Sequence, residues 1–177
     1  PNGAGKSSLL LILAGLMEGE GIVEIDGLAP RANWQFGLVF QDADDQLFCP
    51  TVGEDVAFGP RNQKLPSAEV DQRVADSLAA TGMAGFEQRS AHHLSGGEKK
   101  RAAIASVLAC KPTVLALDDP WANLDARGAR AVTQIVRDFQ GTRLVTSQDL
   151  LRASQVCDRL VILDQGQLVA DGPKHQL

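Results

Sequence analysis

VLALDDPWANLD (114–125) runs from a short apolar stretch into two adjacent aspartates, then a proline and a tryptophan. Four to five apolar residues bounded by turn signals read as a strand buried on both faces, the kind found in parallel sheets. Asp118 and Asp119 then stand side by side at the mouth of that strand. Taken alone, this is equally a solvated strand end with a turn, so the flanking sequence has to decide.

Working outward, a helix over 97–110 is expected from Ile104, Val107 and Leu108 on one face, ended by Lys111-Pro112. A second helix over about 127–139 carries Val132, Ile135, Val136 and Phe139, and RLVT (143–146) follows Gly141 as another strand. A short helix near 149–156 precedes RLVIL and QLVAD, which flank a turn at Asp164 to Gly166. Toward the N-terminus, Leu9, Leu10, Leu13 and Leu16 recur at helical spacing, GIVEIDG (21–27) alternates like a strand, and GLVF (37–40) is a short buried strand ending at Gln41. Helices alternating with buried strands predict an α/β fold with a mostly parallel sheet flanked by helices. Residues 42–89 break the alternation. They carry Pro50, Pro60 and Pro66, then a helix capped by Ser67 with Val70, Val74 and Leu78 on one stripe, and read as an inserted helical lobe within a single domain spanning 1–177.

At 177 residues the chain suits one domain with a real core. Its net charge of -5 and pI of about 5.1 argue against a polyanionic partner, so no nucleic acid is expected. Cys49, Cys110 and Cys157 are odd in number, far apart and without CxxC spacing, which suits buried thiols in a reducing compartment. No apolar run is long enough to span a bilayer, and no signal peptide is evident. The expectation is a soluble, cytoplasmic chain, whatever it docks onto.

PNGAGKSS (1–8) matches the end of a phosphate-binding loop of the form GxxxxGK[ST], whose first glycine would lie upstream of Pro1. Backbone amides around Gly3 and Gly5 must turn inward and approach phosphate oxygens closely, which a β-carbon would obstruct. Lys6 would reach the β- and γ-phosphates and the Ser7 hydroxyl would ligate magnesium. The start of the next helix adds the positive end of its dipole. Because such a loop hangs between a strand and a helix, the sequence is expected to be part of a longer chain.

LSGGEKKR (94–101) is a second glycine-rich loop opening a helix. Two phosphate-type loops exceed what one nucleotide tail needs from one chain. LSGGE, followed by a helix and an apolar strand ending in two acids, resembles the signature of ATP-binding cassette (ABC) ATPases, and the resemblance covers the whole chain in order. It implies a P-loop NTPase, ATP and Mg2+ as ligands, and two such domains closing head to tail, so that the signature of one covers the γ-phosphate held by the P-loop of the other. On that resemblance Asn2, Gly3, Ala4, Gly5, Lys6, Ser7 and Ser8 bind the phosphates. Ser95, Gly96, Gly97 and Asp125 contact the nucleotide across the pair. Gln41 is the Q-loop glutamine near metal and attacking water. Asp118 joins Ser7 and Gln41 at the magnesium, and Asp119 takes the place of the general base. Residues 90–177 then hold the signature, the acid-tipped strand, the D-loop and the switch region. His92-His93 suits a structural loop before the signature, and Glu98, Lys99, Lys100 and Arg101 are expected to be solvated or structural.

Two residues depart from the family pattern. The usual base is a glutamate, and Asp119 is one methylene shorter, a retreat of about an ångström that can lower a rate roughly 10²-fold. Gln148 of TSQDL stands where the family has a histidine; its amide can donate a hydrogen bond but carries no proton. Both a slow ATPase and a poorly hydrolysing half of a heterodimer fit these changes, as does a regulatory cassette.

VFQDADDQLFCPTVGEDVAFGP (39–60) is similar to the region after the Q-loop in energy-coupling factor and cobalt/nickel importers. That likeness implies a second ATPase subunit, a transmembrane coupling protein, a membrane component that selects a metal ion or vitamin, and a peripheral place on the cytoplasmic membrane face. Phe48, Val52, Val56 and Phe58 would offer the coupling protein an apolar surface rimmed by Asp44, Asp45, Glu54 and Asp55; alternatively they pack the lobe's own core. A non-transport ABC protein is the competing class, with neither tandem cassettes nor long coiled coils visible to support it.

Overall fold

The computed structural model describes residues 3–25, 27–29 and 35–176. Helix α1 (Lys6–Leu13) opens it, and strand β1 (Phe36–Val39) enters the core. Helices α2 (Val52–Asn62), α3 (Ser67–Ala80) and α4 (Gly96–Leu108) form the helical insertion and the signature helix. Strand β2 (Val114–Asp118), helix α5 (Ala126–Asp138), strand β3 (Thr142–Thr146) and helix α6 (Leu150–Val156) continue the α/β alternation. A hairpin of β4 (Arg159–Asp164) and β5 (Gln167–Pro173) ends it.

The three central strands are parallel in the order β1-β2-β3, with Val39 opposite Leu117 and Asp118 opposite Thr146. β2 lies in the middle, and Leu115, Ala116 and Leu117 are fully buried, as its continuous apolar run requires. Parallel pairing needs crossovers, and α5 supplies one between β2 and β3. The carboxyl ends of all three strands therefore open on the same edge. Hairpin β4-β5 is a separate antiparallel sheet.

One core joins the sheet to the helices. Ile104 and Val107 of α4, Val132, Ile135 and Val136 of α5, and Leu78 of α3 pack with Val39, Leu115 and Leu117. Val52 and Val56, one turn apart on α2, belong to this core and are fully buried, so they cannot supply docking surface as expected. Asp55 is buried too: its Oδ1 accepts the amides of Phe48 (3.0 Å) and Cys49 (2.9 Å) instead of rimming a groove. Only Phe48 and Phe58 of the four apolar candidates are exposed, stacked edge to face with centroids 4.9 Å apart.

Three local expectations are corrected. GIVEIDG forms no strand among the described residues, only an isolated bridge between Ile25 and Leu28, and Ile22 is exposed. Alternation prepares a strand but does not supply a neighbour to pair with. Ser67 is the first residue of α3 and not its cap; Pro66 holds that position without a side-chain hydrogen bond. Helix α1 ends at Leu13 and buries only Leu10 of the expected leucine stripe, while Leu9 and Leu16 face solvent.

Candidate nucleotide site

Gly3, Ala4, Gly5, Lys6, Ser7, Ser8, Gln41, Asp118, Asp119 and Gln148 line one recess of about 300 Å3. Four distant segments reach it because the α1 loop lies over the carboxyl ends of β1, β2 and β3, where open α/β sheets place their ligands. Asn2 lies outside the described residues.

The loop is built to receive an anion. Gly3 and Gly5 have φ of +72° and +93°, left-handed values that a side chain would strain. Gly5 occupies the capping position of α1, and no side chain caps that helix. The first-turn amides of a helix have no intrahelical partner, and a glycine at the cap leaves phosphate room to approach them. The turn of the terminal hairpin supports the loop from behind: the Gly166 amide donates to the Ala4 carbonyl at 3.2 Å.

At the other wall, both aspartates are hydrogen-bonded to the end of β3 and the residue after it. The Thr146 hydroxyl donates to Asp118 Oδ1 at 2.5 Å. The Asp119 amide donates to the Thr146 carbonyl and hydroxyl oxygens, each at 3.1 Å. Ser147 Oγ donates to Asp119 Oδ1 at 3.4 Å, and its oxygen accepts the Asp149 amide at 2.9 Å. Thr146 and Ser147 were not singled out from sequence, although they immediately precede Gln148. Asp119 has φ of +37°, a region that aspartate tolerates better than most side chains. Burial pushes its carboxyl above the usual aspartate range; Ser147 opposes this, the Asp118 charge adds to it, and Lys6 and Lys100 oppose it. A base with a raised affinity for protons is what abstraction from water needs.

The signature lies elsewhere. Ser95, Gly96, Gly97, Glu98, Arg101, Asn123, Asp125 and Gly128 line a second recess of about 580 Å3 that shares no residue with the first. Ser95 and Glu98 form a reciprocal capping box: Ser95 Oγ accepts the Glu98 amide, and Glu98 Oε2 accepts the Ser95 amide and hydroxyl, both at 2.8 Å. These bonds, the amide's first, hold the Glu98 carboxyl below the usual glutamate range. Asp125 caps α5 by accepting the Gly128 amide at 2.6 Å. Trp121 anchors the connecting loop from inside, donating Nε1–H to Thr133 Oγ1 at 3.0 Å.

Other candidates fall away. His92 and His93 are exposed in a short 3-10 turn, and among the described residues no three His, Cys, Asp or Glu side chains converge for a metal. The three cysteines are half-buried free thiols, and burial raises all three, Cys49 to about 11. A larger cavity of about 750 Å3 lies at the opposite end of β2 and β3, lined by Leu108, Ile135 and Phe139 among others, and contains none of the motif residues. No helix among the described residues is long and apolar enough to cross a membrane.

Comparison with known proteins agrees with this geometry. Residues 1–122 match the family described as ABC transporter. The energy-coupling factor transporter ATP-binding protein EcfA of Methanothermobacter thermautotrophicus is 46% identical over 184 residues, covering 97% of this chain and 59% of that protein. CbiO1 from Clostridium perfringens, described as part of the ABC transporter complex CbiONQ, matches with a TM-score of 0.88 and 32% identity over 99% of this chain and 75% of its own. The ATP-binding cassette MJ0796, solved as a dimer in a post-hydrolysis state with ADP and Pi, matches with a TM-score of 0.85 and 26% identity over 98% and 82%. With a P-loop, a paired acid and a signature loop set in that fold, the chain belongs to the ABC transporter family, as an ATP-binding subunit with the family's ATPase fold.

Proposed function

We propose that this chain powers an importer of the energy-coupling factor class by hydrolysing ATP between two cassettes. The observation that carries the reading is the separation of the two recesses: the P-loop lines one and the signature the other, and they share no lining residue. In this reading, a tail gripped by both lies between two chains. The partner is a second copy or a sister subunit, and the likeness to EcfA and CbiO1 supports a transmembrane coupling protein and a membrane component that selects a metal ion or vitamin. Exposed Phe48 and Phe58 are the remaining apolar contacts for that coupling protein, which would hold the chain at the cytoplasmic membrane face.

In this reading the amides around Gly3 and Gly5 bind the β- and γ-phosphates, Lys6 neutralises them, and Asp119 takes a proton from water oriented by Gln41. Gln148 donates a hydrogen bond to the γ-phosphate. Ser7, Asp118 and Gln41 suit magnesium, which keeps several waters and takes one or two carboxylates plus substrate phosphates. When bound, the ion would neutralise charge on the phosphates. Asp119 and Gln148 both favour slow turnover, and a weakly hydrolysing half of a heterodimer is the second reading they support.

Phosphate release by the full-length protein, alone and mixed with a candidate sister subunit, tests both. Slow release that rises on mixing is expected, together with ATP-dependent pairing in sedimentation. Failure of ATP to pair the protein with itself or with a sister subunit would overturn the two-cassette reading.

A further inference from the structure

Lys100 is only 2% exposed, although it is the fifth residue of a helix that begins at the surface. Its Nζ donates to the Phe40 carbonyl at 3.0 Å and to the Gln41 carbonyl at 2.7 Å. A buried ammonium is costly unless its protons and charge are both answered. Burial accordingly lowers its proton affinity, against the pull of Asp42, Asp119 and Asp118. The two carbonyls answer two of its three protons. The three carboxylates answer the charge.

The same helix grips the next residues as well. Lys99 Nζ pairs with Asp44 at 2.6 Å. Gln46 Nε2 donates to the Ala103 carbonyl at 3.2 Å and to Ser106 Oγ at 3.3 Å, while its Oε1 accepts the Phe40 amide at 3.1 Å. Residues 99, 103 and 106 repeat at the spacing of one helix face, so segment 40–46 is lashed along α4 at several points. Lys100 alone among these ties reaches the main chain of Gln41.

We propose that Lys100 is a positioning residue for hydrolysis, pinning the Gln41 main chain to the helix that carries the signature. The inference rests on the two-cassette reading and deepens it. From Gly96 to Lys100 is little more than one helical turn, about 6 Å of axis. A shift of the signature as it engages the partner's nucleotide is therefore passed to Gln41 at this chain's own phosphates by a rigid lever. The charge on Lys100 also offsets the paired acids before a cation arrives.

Lys100→Met, Lys100→Gln and Lys100→Arg in the full-length protein with its partner test this. Lys100→Met is expected to lower kcat about tenfold to a hundredfold through misplacement of Gln41, with ATP affinity close to wild type and a lower thermal midpoint because two buried carbonyls lose their donor. Lys100→Arg, which keeps charge and donors, is expected to recover part of the loss. Hydrogen exchange of segment 40–46 should quicken in Lys100→Met while α3 is unchanged, a readout that does not need turnover. Should Met prevent folding, Lys100→Gln carries the same comparison. Unchanged exchange of segment 40–46, or a loss of kcat, affinity and thermal midpoint together with no recovery by Arg, overturns the proposal. Absence of ATPase activity in the wild type counts against the hydrolytic reading instead, and leaves the exchange result to judge the tether.

Discussion

The two recesses handle their helix N-termini in opposite ways. Helix α1 starts at Gly5 with no side-chain cap, whereas α4 starts at Ser95 with a complete capping box. A glycine-led terminus without a side-chain cap can be stabilised by an anion that arrives from outside. A capped terminus is complete by itself, and what it lends to a ligand is the amides of Gly96 and Gly97. If both recesses meet nucleotide as proposed, the difference predicts unequal tasks: the P-loop recess would supply most of the ATP affinity, and the signature recess would add contacts when a second chain presents a phosphate. The acids divide likewise. Asp118 and Asp119 face the first recess as candidate chemical groups, while Asp125 at the second is occupied as a helix cap.

The largest effect expected is on chemistry in the first recess. Asp119→Asn should lower kcat by roughly 10²–10⁴-fold with ATP binding retained, and Asp119→Glu should raise kcat toward 10²-fold by restoring the missing methylene, both read as phosphate release. If neither substitution moves kcat, Asp119 is not the base. Lys6→Ala should weaken ATP binding by about 10- to 100-fold, since a hydrogen bond to a charged group is worth about 1.5–3 kcal/mol; calorimetry would measure it. Equal weakening by Ser95→Ala would erase the asymmetry between the recesses. Thr146→Val removes the hydroxyl that bridges the two aspartates and should cost about 1 kcal/mol in urea unfolding as well as slowing turnover.

The smallest effect is on the capping box. Ser95→Ala should destabilise the fold by about 0.5 kcal/mol at neutral pH, the low end for loss of a cap, since the helix start is exposed. Glu98 is held below its ordinary range when folded, so its contribution is present above the unfolded pKa of about 4.3 and is lost as pH falls through the folded value. The gap between wild type and Ser95→Ala in thermal midpoint should therefore narrow below about pH 4. A gap that is constant with pH would mean that the hydroxyl caps α4 without help from Glu98.

Much of this arrangement is legible in the chain because its chemistry is local. GAGKSS needs its glycines wherever it occurs, LSGGE marks a glycine-led helix start, and VLALDD announces a buried strand tipped with acids; that Ser95 and Glu98 cap each other is seen only in the folded chain. The stripes Val70–Val74–Leu78 and Val132–Ile135–Val136 likewise fix which helix faces turn inward. Reading failed where a residue's role depends on a neighbour far along the chain. Val52 and Val56 look like free apolar surface until α4 packs against them. GIVEIDG has the pattern of a strand, yet among the described residues it forms only the isolated bridge of Ile25 with Leu28. Thr146, Ser147 and Lys100 are ordinary polar residues in sequence, and their significance comes from pairing Asp118 with Thr146 and from Lys100 reaching carbonyls about sixty positions upstream.

By itself, then, the sequence determined the phosphate loop, the acid pair, the signature loop and the alternation that makes a parallel sheet, because backbone freedom and periodicity act over a few residues. Only the tertiary structure decided which groups meet. Strand register placed Thr146 opposite Asp118, helix packing buried Lys100 against the Gln41 segment, and the separation of the two recesses followed from where α1 and α4 begin on the folded sheet. Those contacts join residues tens of positions apart, and sequence spacing does not encode such distances.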